Sequence, residues 1–306
     1  MKDSPRTLAF GVPQPFQFEA PSSWLSRLAL AQGLMSLPEL LRFLNLPTEV
    51  DLDWYLSGPQ LQDLLRRCKL PDHSFGISDR LMSGIGASRL GAKQFLLAGK
   101  KGVARFRYCP CCLAERRVAH LDIHWRFKAW RWCPVHACLL LDACPECDGL
   151  LEHPCLIEST KAARAGHASL ARCLHCSMLL SDEDLQSLAE ESMKALSSVE
   201  RLWLTNGRAL LSALVHRRYQ FRRQEHELQG LVAMYASGVL PMAGLQDALD
   251  RKLQASRLAR LATEKDGFDE LGKRPDRRVH RTALPSEPDG ANVRSEASRS
   301  GHAPLP

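Results

Sequence analysis

The sequence predicts a mainly α-helical protein with small β elements at its centre. Two observations lead to this fold class. Leucines recur at three- and four-residue steps through residues 1–100, and that spacing is the period of an amphipathic helix. Cysteines and one histidine then form four closely spaced pairs within residues 101–180, a pattern typical of short strands and loops built around metal ions.

Residues 1–100 are expected to form short helices joined by turns. Prolines interrupt the first 21 residues, so an extended lead-in should precede the first helix. Trp24, Leu28 and Ala31 then share one helical face, and Gly33 suits the end of that helix. Ser36–Glu39 and Ser57–Gln60 have the form of capping boxes ahead of two more leucine-rich helices. The region is therefore predicted to be helix-turn-helix-like, although such stripes more often serve plain packing.

Residues 101–180 carry the strongest signal in the chain. The eight predicted metal ligands form two complete sets of four, with 20 residues between the two pairs of the first set and 25 between those of the second. Thiolates and imidazole at this spacing are typical of structural zinc, in which a closed tetrahedron stabilises the fold and leaves no position for a substrate. The segment is predicted to be a two-zinc module, with these ligands: Cys109, Cys112, Cys133 and His136 for one ion, and Cys144, Cys147, Cys173 and Cys176 for the other.

Three rival chemistries also use paired cysteines. A redox Cys-x-x-Cys site needs one pair and does not explain four, and the His-x-Glu motif of a zinc deaminase is absent from the sequence. An iron–sulfur cluster prefers four thiolates, so His136 argues against it at the first set, whereas the second set could accept one. Nearby side chains that could replace or support a ligand remain open: Cys111, Cys138, Cys155, His124, His153 and His175.

The last part of the chain is predicted to be helical and then disordered. Ser181–Asp184 suits a helix start with acidic residues in its first turn, and helices are expected over 200–224, 228–237 and 241–261 within a C-terminal region at 181–262. Apolar periodicity stops after that region, and Gly, Pro, Ser and charged residues dominate. Residues 263–306 are therefore predicted to be a disordered tail.

Basic charge is concentrated beside the first metal pairs. The chain has a formal charge of +7, and residues 100–131 hold nine Lys or Arg against two acidic residues, which also sums to +7. A concentrated basic segment suggests contact with nucleic acid or an acidic partner. The residues predicted to make such contacts are Arg116, Arg117, Arg126, Lys128 and Arg131, with Arg217, Arg218, Arg222 and Arg223 in a second basic run. Arg126, beside Trp125, is equally compatible with a structural role.

No stretch of the sequence is long and apolar enough for a membrane span, and no signal peptide is readable at the N-terminus. The expected compartment is the cytoplasm, without membrane contact. Cysteines in that reducing compartment rarely form disulfides, which favours the metal interpretation of the pairs.

The cysteine segment resembles a known family. Cys109-Pro-Cys-Cys112, His124-Trp125-Arg126, Cys133-Pro-Val-His136 and Cys144-Pro-Glu-Cys147 occur in the order found in the TniQ family, the TnsD-related target-selection proteins of transposons, and Ser22–Leu46 is similar to that family's N-terminal segment. Ala137 and Asp148 depart from the pattern, because a glycine in a left-handed conformation commonly follows each pair there.

The resemblance implies a non-catalytic adaptor rather than an enzyme. Family members choose the insertion site in DNA transposition by binding target DNA directly or through an RNA-guided complex, and they pass this choice to an AAA+ ATPase regulator and then to the transposase. A homodimer is also compatible with the resemblance. The alternatives are a zinc-stabilised DNA-binding regulator of transcription and a protein–protein scaffold that binds no DNA.

Overall fold

The computed structural model describes residues 7–228 apart from 9, 35–36, 89–90, 100–101, 153–168, 182–185, 187–197 and 222. All of these described residues belong to one compact unit. The predicted helices at 228–237 and 241–261, apart from residue 228, and the predicted tail lie outside the described residues. So do His153, Cys155, Arg222, the capping serine Ser36 and most of the helix start at Ser181–Asp184.

The N-terminal region is helical, as predicted. Its helices are α1 (Pro21–Ala31), α2 (Leu37–Phe43), α3 (Leu52–Tyr55), α4 (Pro59–Arg67), α5 (Gly76–Ala87) and α6 (Ala92–Phe95). Pro21 occupies the first turn of α1, where its missing N–H has no helical acceptor to lose. Gly33 has a φ of 70° after α1, which is the left-handed conformation expected of a glycine that ends a helix.

Helix α4 does not begin as predicted. The capping residue is Gly58 rather than Ser57, and no side chain caps the helix. The backbone N–H of Gly58 donates to Asp79 on α5 at 2.7 Å, while the Ser57 hydroxyl donates to the carbonyl of Trp54. A contact with a distant helix therefore replaces the predicted local capping box.

Two buried cores organise the described residues. The first, here called the leucine core, spans residues 24–75 and is closed by the apolar faces of α1 to α4 with Phe75. Trp24 contacts Phe75 edge to face, with 5.5 Å between ring centroids. The second, here called the central core, combines side chains of α5 and α6 with those of the cysteine segment and a later helix. The division into regions at 100 and 180 stays a prediction.

The cysteine segment contains short elements rather than long strands. They are β1 (Arg105–Phe106), α7 (Pro110–Glu115), a 3₁₀ helix (Ile123–Arg126), β2 (Trp132–Cys133), β3 (Cys138–Leu139) and β4 (Leu151–Glu152). β1 pairs with β4, and β2 pairs with β3, both antiparallel. Strands of two residues supply few ladder hydrogen bonds, so this segment needs another source of order.

Helix α8 (Ser198–His216) packs closely against the earlier part of the chain. A Cβ on Gly84 of α5 would lie 2.2 Å from the carbonyl oxygen of Leu214, and one on Gly207 would lie 2.4 Å from that of Ala129. Both glycines therefore permit a backbone approach that any side chain would block.

The basic run after α8 does not continue the helix that was predicted over 200–224. The helix ends at His216, Arg217 has a φ of 56°, and a hairpin follows with β5 (Arg218–Phe221) and β6 (Gln224–Glu227). Tyr219 stacks on His226 across the hairpin at 5.5 Å, a cross-strand pair of the kind that stabilises two-stranded sheets. The predicted helix over 200–224 is therefore wrong after residue 216. Within the described residues, no helix has the length and apolar character needed to span a membrane.

Candidate metal centre

The first predicted ligand set converges on one point. The Sγ atoms of Cys112 and Cys133 lie 3.6 Å apart. The Nδ1 atom of His136 lies 3.5 Å from the sulfur of Cys109, 3.3 Å from that of Cys112 and 3.5 Å from that of Cys133. All four ligand atoms fall within 4.8 Å of one another. The histidine therefore faces the cysteines through Nδ1.

The second set has the same arrangement with sulfur alone. Cys144 and Cys176 have sulfurs 3.6 Å apart, as do Cys147 and Cys173. The four sulfurs again lie within 4.8 Å of one another. Cys144 and Cys173 are buried and Cys147 is exposed, so this centre lies nearer the surface.

These distances fit a tetrahedral metal ion. Zinc binds sulfur at about 2.3 Å and imidazole nitrogen at about 2.05 Å, which places neighbouring ligands about 3.8 Å apart for two sulfurs and about 3.6 Å apart for sulfur and nitrogen. The observed separations of 3.6 Å and 3.3 to 3.5 Å agree with these edges. Both clusters could hold a metal ion, and their donor atoms are those that zinc prefers.

The local backbone explains how each pair presents two ligands. Cys109 caps α7, and its sulfur accepts the backbone N–H of Cys112 at 3.4 Å. The other three pairs lie in tight turns closed by antiparallel bridges, namely Cys133↔Cys138, Ala143↔Leu150 and Arg172↔Leu179. Such a turn directs both ligand side chains to the same side.

The residue after each of these three turns has a left-handed backbone. Ala137 has a φ of 50°, Asp148 of 56° and Ser177 of 66°. Ala137 and Asp148 therefore keep the left-handed conformation although neither is a glycine, and Ser177 adopts it after the last pair. Left-handed backbone costs a residue with a Cβ about 1–2 kcal/mol, so each turn carries strain that metal coordination can offset.

The carboxylate of Glu115 lies beside the ring nitrogen of His136 that does not face the cysteines. The Nε2 atom of His136 lies 3.0 Å from a carboxylate oxygen of Glu115. Burial lowers the pKa of His136, but Glu115 and the sulfur of Cys133 outweigh it and raise that pKa. A carboxylate in this position orients the imidazole and increases its basicity as a ligand. Nothing in the sequence spacing identified Glu115, although it follows Cys112 by one helical turn.

The thiols within each set differ in the direction in which their pKa is shifted. Hydrogen bonds from Cys109 and Cys112 lower the pKa of Cys133, while hydrogen bonds with Cys109 and Cys133 raise the pKa of Cys112. In the second set, burial raises the pKa of Cys144, whereas hydrogen bonds to Cys176 outweigh burial and lower its pKa. Four neighbouring thiolates repel one another, and a cation between them removes that repulsion.

Several predicted contact residues lie inside the protein. Arg126 is fully buried, and its guanidinium lies 2.5 Å from Asp51 and 2.9 Å from Asp53. Asp53 also accepts the backbone N–H and the hydroxyl of Ser22. Arg126 therefore joins the cysteine segment to the leucine core rather than meeting solvent. Burial raises the pKa of Asp53.

Arg116 also makes internal contacts. It donates to Asp122 at 2.6 Å and to the carbonyl of His120 at 2.8 Å, and its guanidinium lies 4.8 Å from the Trp125 ring centroid. Burial raises the pKa of Asp122 to about 6 although Arg116 opposes the shift. The Arg116 pair is therefore part of a half-buried network and not a free surface charge.

The remaining predicted cations form two groups: some interact with other residues of the protein, and the others are exposed. Arg131 is buried, and with Arg107 and Arg105 it lowers the pKa of Asp142 against the effect of burial. Lys128 donates to the carbonyl of Lys93 at 2.7 Å. The exposed cations are Arg117, Arg217, Arg218 and Arg223. Of these, Arg218 contacts Glu225 at 2.7 Å.

Within the described residues, the other histidines are not grouped with either ligand set. His124 packs against Trp130, with 4.8 Å between ring centroids, and burial lowers its pKa to about 3. His175 contacts the carbonyl of Leu150 at 3.3 Å. A Cβ on Gly149 would lie 2.3 Å from the His175 ring, so this histidine lies directly against the turn that follows Cys147.

Comparison with known proteins supports one family. The TniQ family model matches residues 11–140, which span the leucine core and the first ligand set. A search of curated proteins finds no significant match. The resemblance inferred from the cysteine motifs is therefore confirmed over residues 11–140.

Proposed function

We propose, because residues 11–140 match the TniQ family model, that this protein is a non-catalytic adaptor that selects target sites in DNA transposition. In this role it links target DNA, bound directly or through an RNA-guided complex, to an AAA+ ATPase regulator and the transposase. We further propose that it acts in the cytoplasm and that two copies can associate.

The observation that carries the proposal is the family match together with the closure of both ligand sets. Each set supplies four donors within 4.8 Å, and a zinc ion held by four protein ligands has no open position for a water or a substrate. An ion of that kind stabilises a surface instead of performing a reaction. We propose one zinc ion in each set.

Zinc would give the adaptor a rigid docking surface. Binding of structural zinc is worth on the order of 10–16 kcal/mol in small zinc peptides, which exceeds what two-residue strands can supply. A surface that is ordered before binding loses little conformational entropy when it docks. We therefore propose that partners bind the exposed surface of the cysteine segment.

Only the exposed arginines are kept as candidates for contact with DNA or a partner. We propose that Arg117, beside the first ligand set, and the exposed arginines of the C-terminal hairpin contact DNA phosphates or an acidic partner. Arg116, Arg126 and Arg131 are left out because their charges are engaged internally.

Salt-dependent DNA binding tests this surface. Each phosphate contact contributes about 0.9 to the slope of log affinity against log salt. Replacing Arg117, Arg217 and Arg218 with Ala should therefore weaken binding to a mixed-sequence duplex and flatten that slope by about 2 to 3. The matched control is Arg66→Ala, which removes an exposed arginine of α4. An unchanged slope in the triple variant would exclude this surface as the DNA contact.

Two other functions predict different results. A protein–protein scaffold would bind no duplex at any salt concentration but would still retain an AAA+ ATPase in a pull-down. A transcriptional regulator would bind DNA but would not retain the ATPase. The adaptor requires the ATPase interaction together with dependence of insertion-site choice on the protein in a reconstituted transposition assay.

A further inference from the structure

Two cysteines that belong to neither ligand set lie against Cys109. The sulfur of Cys138 is 3.6 Å from that of Cys109, and the sulfurs of Cys109, Cys111 and Cys138 all lie within 4.8 Å of one another. All three are buried. Three thiols from two separate segments therefore form a second cluster that shares Cys109 with the first ligand set.

The position of Cys109 explains how it can belong to both clusters. Cys111 and Cys112 are consecutive residues in α7, and consecutive helical side chains point about 100° apart. Cys112 faces Cys133 and His136, and Cys111 is grouped with Cys138 instead. The Cys109 sulfur lies between the two clusters, which is where a bridging thiolate would lie.

Ordinary packing accounts poorly for this arrangement. A buried cysteine usually serves as a small apolar side chain, as Cys68 does in the leucine core. Packing alone gives no reason for three sulfurs to point at one another.

The cluster offers three sulfur donors and no fourth ligand. No further His, Cys, Asp or Glu side chain of the described residues completes this group, and burial of its members leaves little access for water. Structural zinc uses four ligands. An ion in the plane of three sulfurs, at a metal–sulfur distance of about 2.3 Å, would separate them by about 4.0 Å, which lies between the 3.6 Å observed for Cys109 and Cys138 and the 4.8 Å that bounds the group. Soft thiolates with few ligands select monovalent copper.

We propose that Cys109, Cys111 and Cys138 form a trigonal thiolate site for monovalent copper, bridged to the first zinc centre by Cys109. The inference rests on the proposed ligation of zinc by Cys109, but not on the role in transposition. Binding replaces the S–H protons of Cys111 and Cys138 with bonds to copper, so it releases two protons and involves no change of oxidation state.

Anaerobic titration of the zinc-loaded full chain with monovalent copper, against a competing copper chelator, tests the site. We expect one tightly bound copper per chain, a thiolate-to-copper charge-transfer band and full retention of zinc. Cys111→Ala and Cys138→Ala should each weaken copper binding by more than about 100-fold, because loss of a ligand exceeds the effect of losing a supporting partner. Cys68→Ala is the matched control and should bind copper like the unmodified protein.

Three results would overturn the proposal. They are release of zinc in proportion to added copper, unchanged copper binding in both variants, and absence of tight binding in the unmodified protein. Zinc content and melting temperature identify a variant that fails to fold. Cys111 and Cys138 lie on different segments, so either variant supplies the test alone. DNA and ATPase binding are measured separately, so failure of the copper site leaves the adaptor proposal standing.

Discussion

The leucine core at residues 24–75 and the cysteine segment at residues 105–180 differ in the interaction that holds each together. The core buries whole faces of α1 to α4 around Trp24, so ordinary apolar burial explains its order. The cysteine segment has strands of two residues and three turns with strained left-handed residues. Its side chains also help to form the central core, and the two clusters of ligand atoms add a second source of order.

The contrast shows where each region is vulnerable. Loss of one leucine removes only part of the burial free energy that many side chains share. Loss of one ligand, in contrast, leaves a metal ion with only three of its four protein donors. The two regions meet at Arg126, whose guanidinium pairs with Asp51 and Asp53. Experiments that disturb one region and observe the other can therefore test the distinction.

Removal of zinc should have the largest effect. Chelation should abolish amide protection across residues 105–152 and 169–180, and Cys133→Ser should abolish it around the first ligand set, because binding on the order of 10–16 kcal/mol is lost at each such site. Protection in α1 and α4 should persist. Hydrogen exchange measured by mass spectrometry gives both values. Equal protection of the cysteine segment with and without zinc would remove the basis of the comparison.

Substitution of Arg126 should rank second. Arg126→Met leaves the buried carboxylate of Asp53 without its cation, and breaking a buried pair in this way costs about 3–5 kcal/mol. Chemical denaturation measures this loss. Adding Asp53→Asn to the variant should recover part of it, and exposed Arg117→Met should change stability by less than about 0.5 kcal/mol. Equal effects of Arg126→Met and Arg117→Met would contradict the internal role.

Truncation in the leucine core should follow. Leu64 is fully buried, and Leu64→Ala should lower the free energy of unfolding by about 2–5 kcal/mol through lost burial and the cavity that remains. Zinc content should stay unchanged, because no ligand lies in this core. The variant is measured by denaturation together with elemental analysis. Loss of zinc in Leu64→Ala would show that the two regions are not energetically separate.

The smallest effect is expected at Glu115. Removing a carboxylate behind a ligating histidine weakens metal affinity by about 10-fold to 100-fold, and the exposure of Glu115 favours the lower end. Competition with a chromophoric chelator should show this loss for Glu115→Ala. Glu146→Ala, an exposed acid within the third ligand pair, is the control for charge. Equal losses in both variants would assign the effect to net charge rather than to support of His136.

The sequence predicted which cysteines come together better than it predicted which cations are exposed. Ligand spacing is a local property, and it placed the eight donors in the two groups that the structure brings together. Leucine periodicity likewise predicted the N-terminal helices. Charge carries no such local constraint. Asp51 and Asp53 precede Arg126 by more than seventy positions, so the sequence left open whether Arg126 is a surface contact or a structural residue, and the fold buries it as an ion pair with both.

The C-terminal hairpin shows a second limit. The basic and aromatic run at His216–Arg223 continues a helical pattern in composition, but left-handed residues at Arg217 and Arg223 end that helix and bound a strand. Arginine gives no propensity signal for such a conformation, unlike glycine. The grouping of Cys111 and Cys138 with Cys109 depends on the direction of their side chains, and the spacing of residues in the sequence does not determine that direction.

The two ligand sets follow one another along the chain and do not interleave. The last donor of the first set is His136, and the second set starts at Cys144. During synthesis, the earlier tetrahedron can thus close as soon as His136 leaves the ribosome, while the later one waits for Cys176. The order of the donors along the chain therefore allows the N-terminal set to bind its ion before the second set is complete.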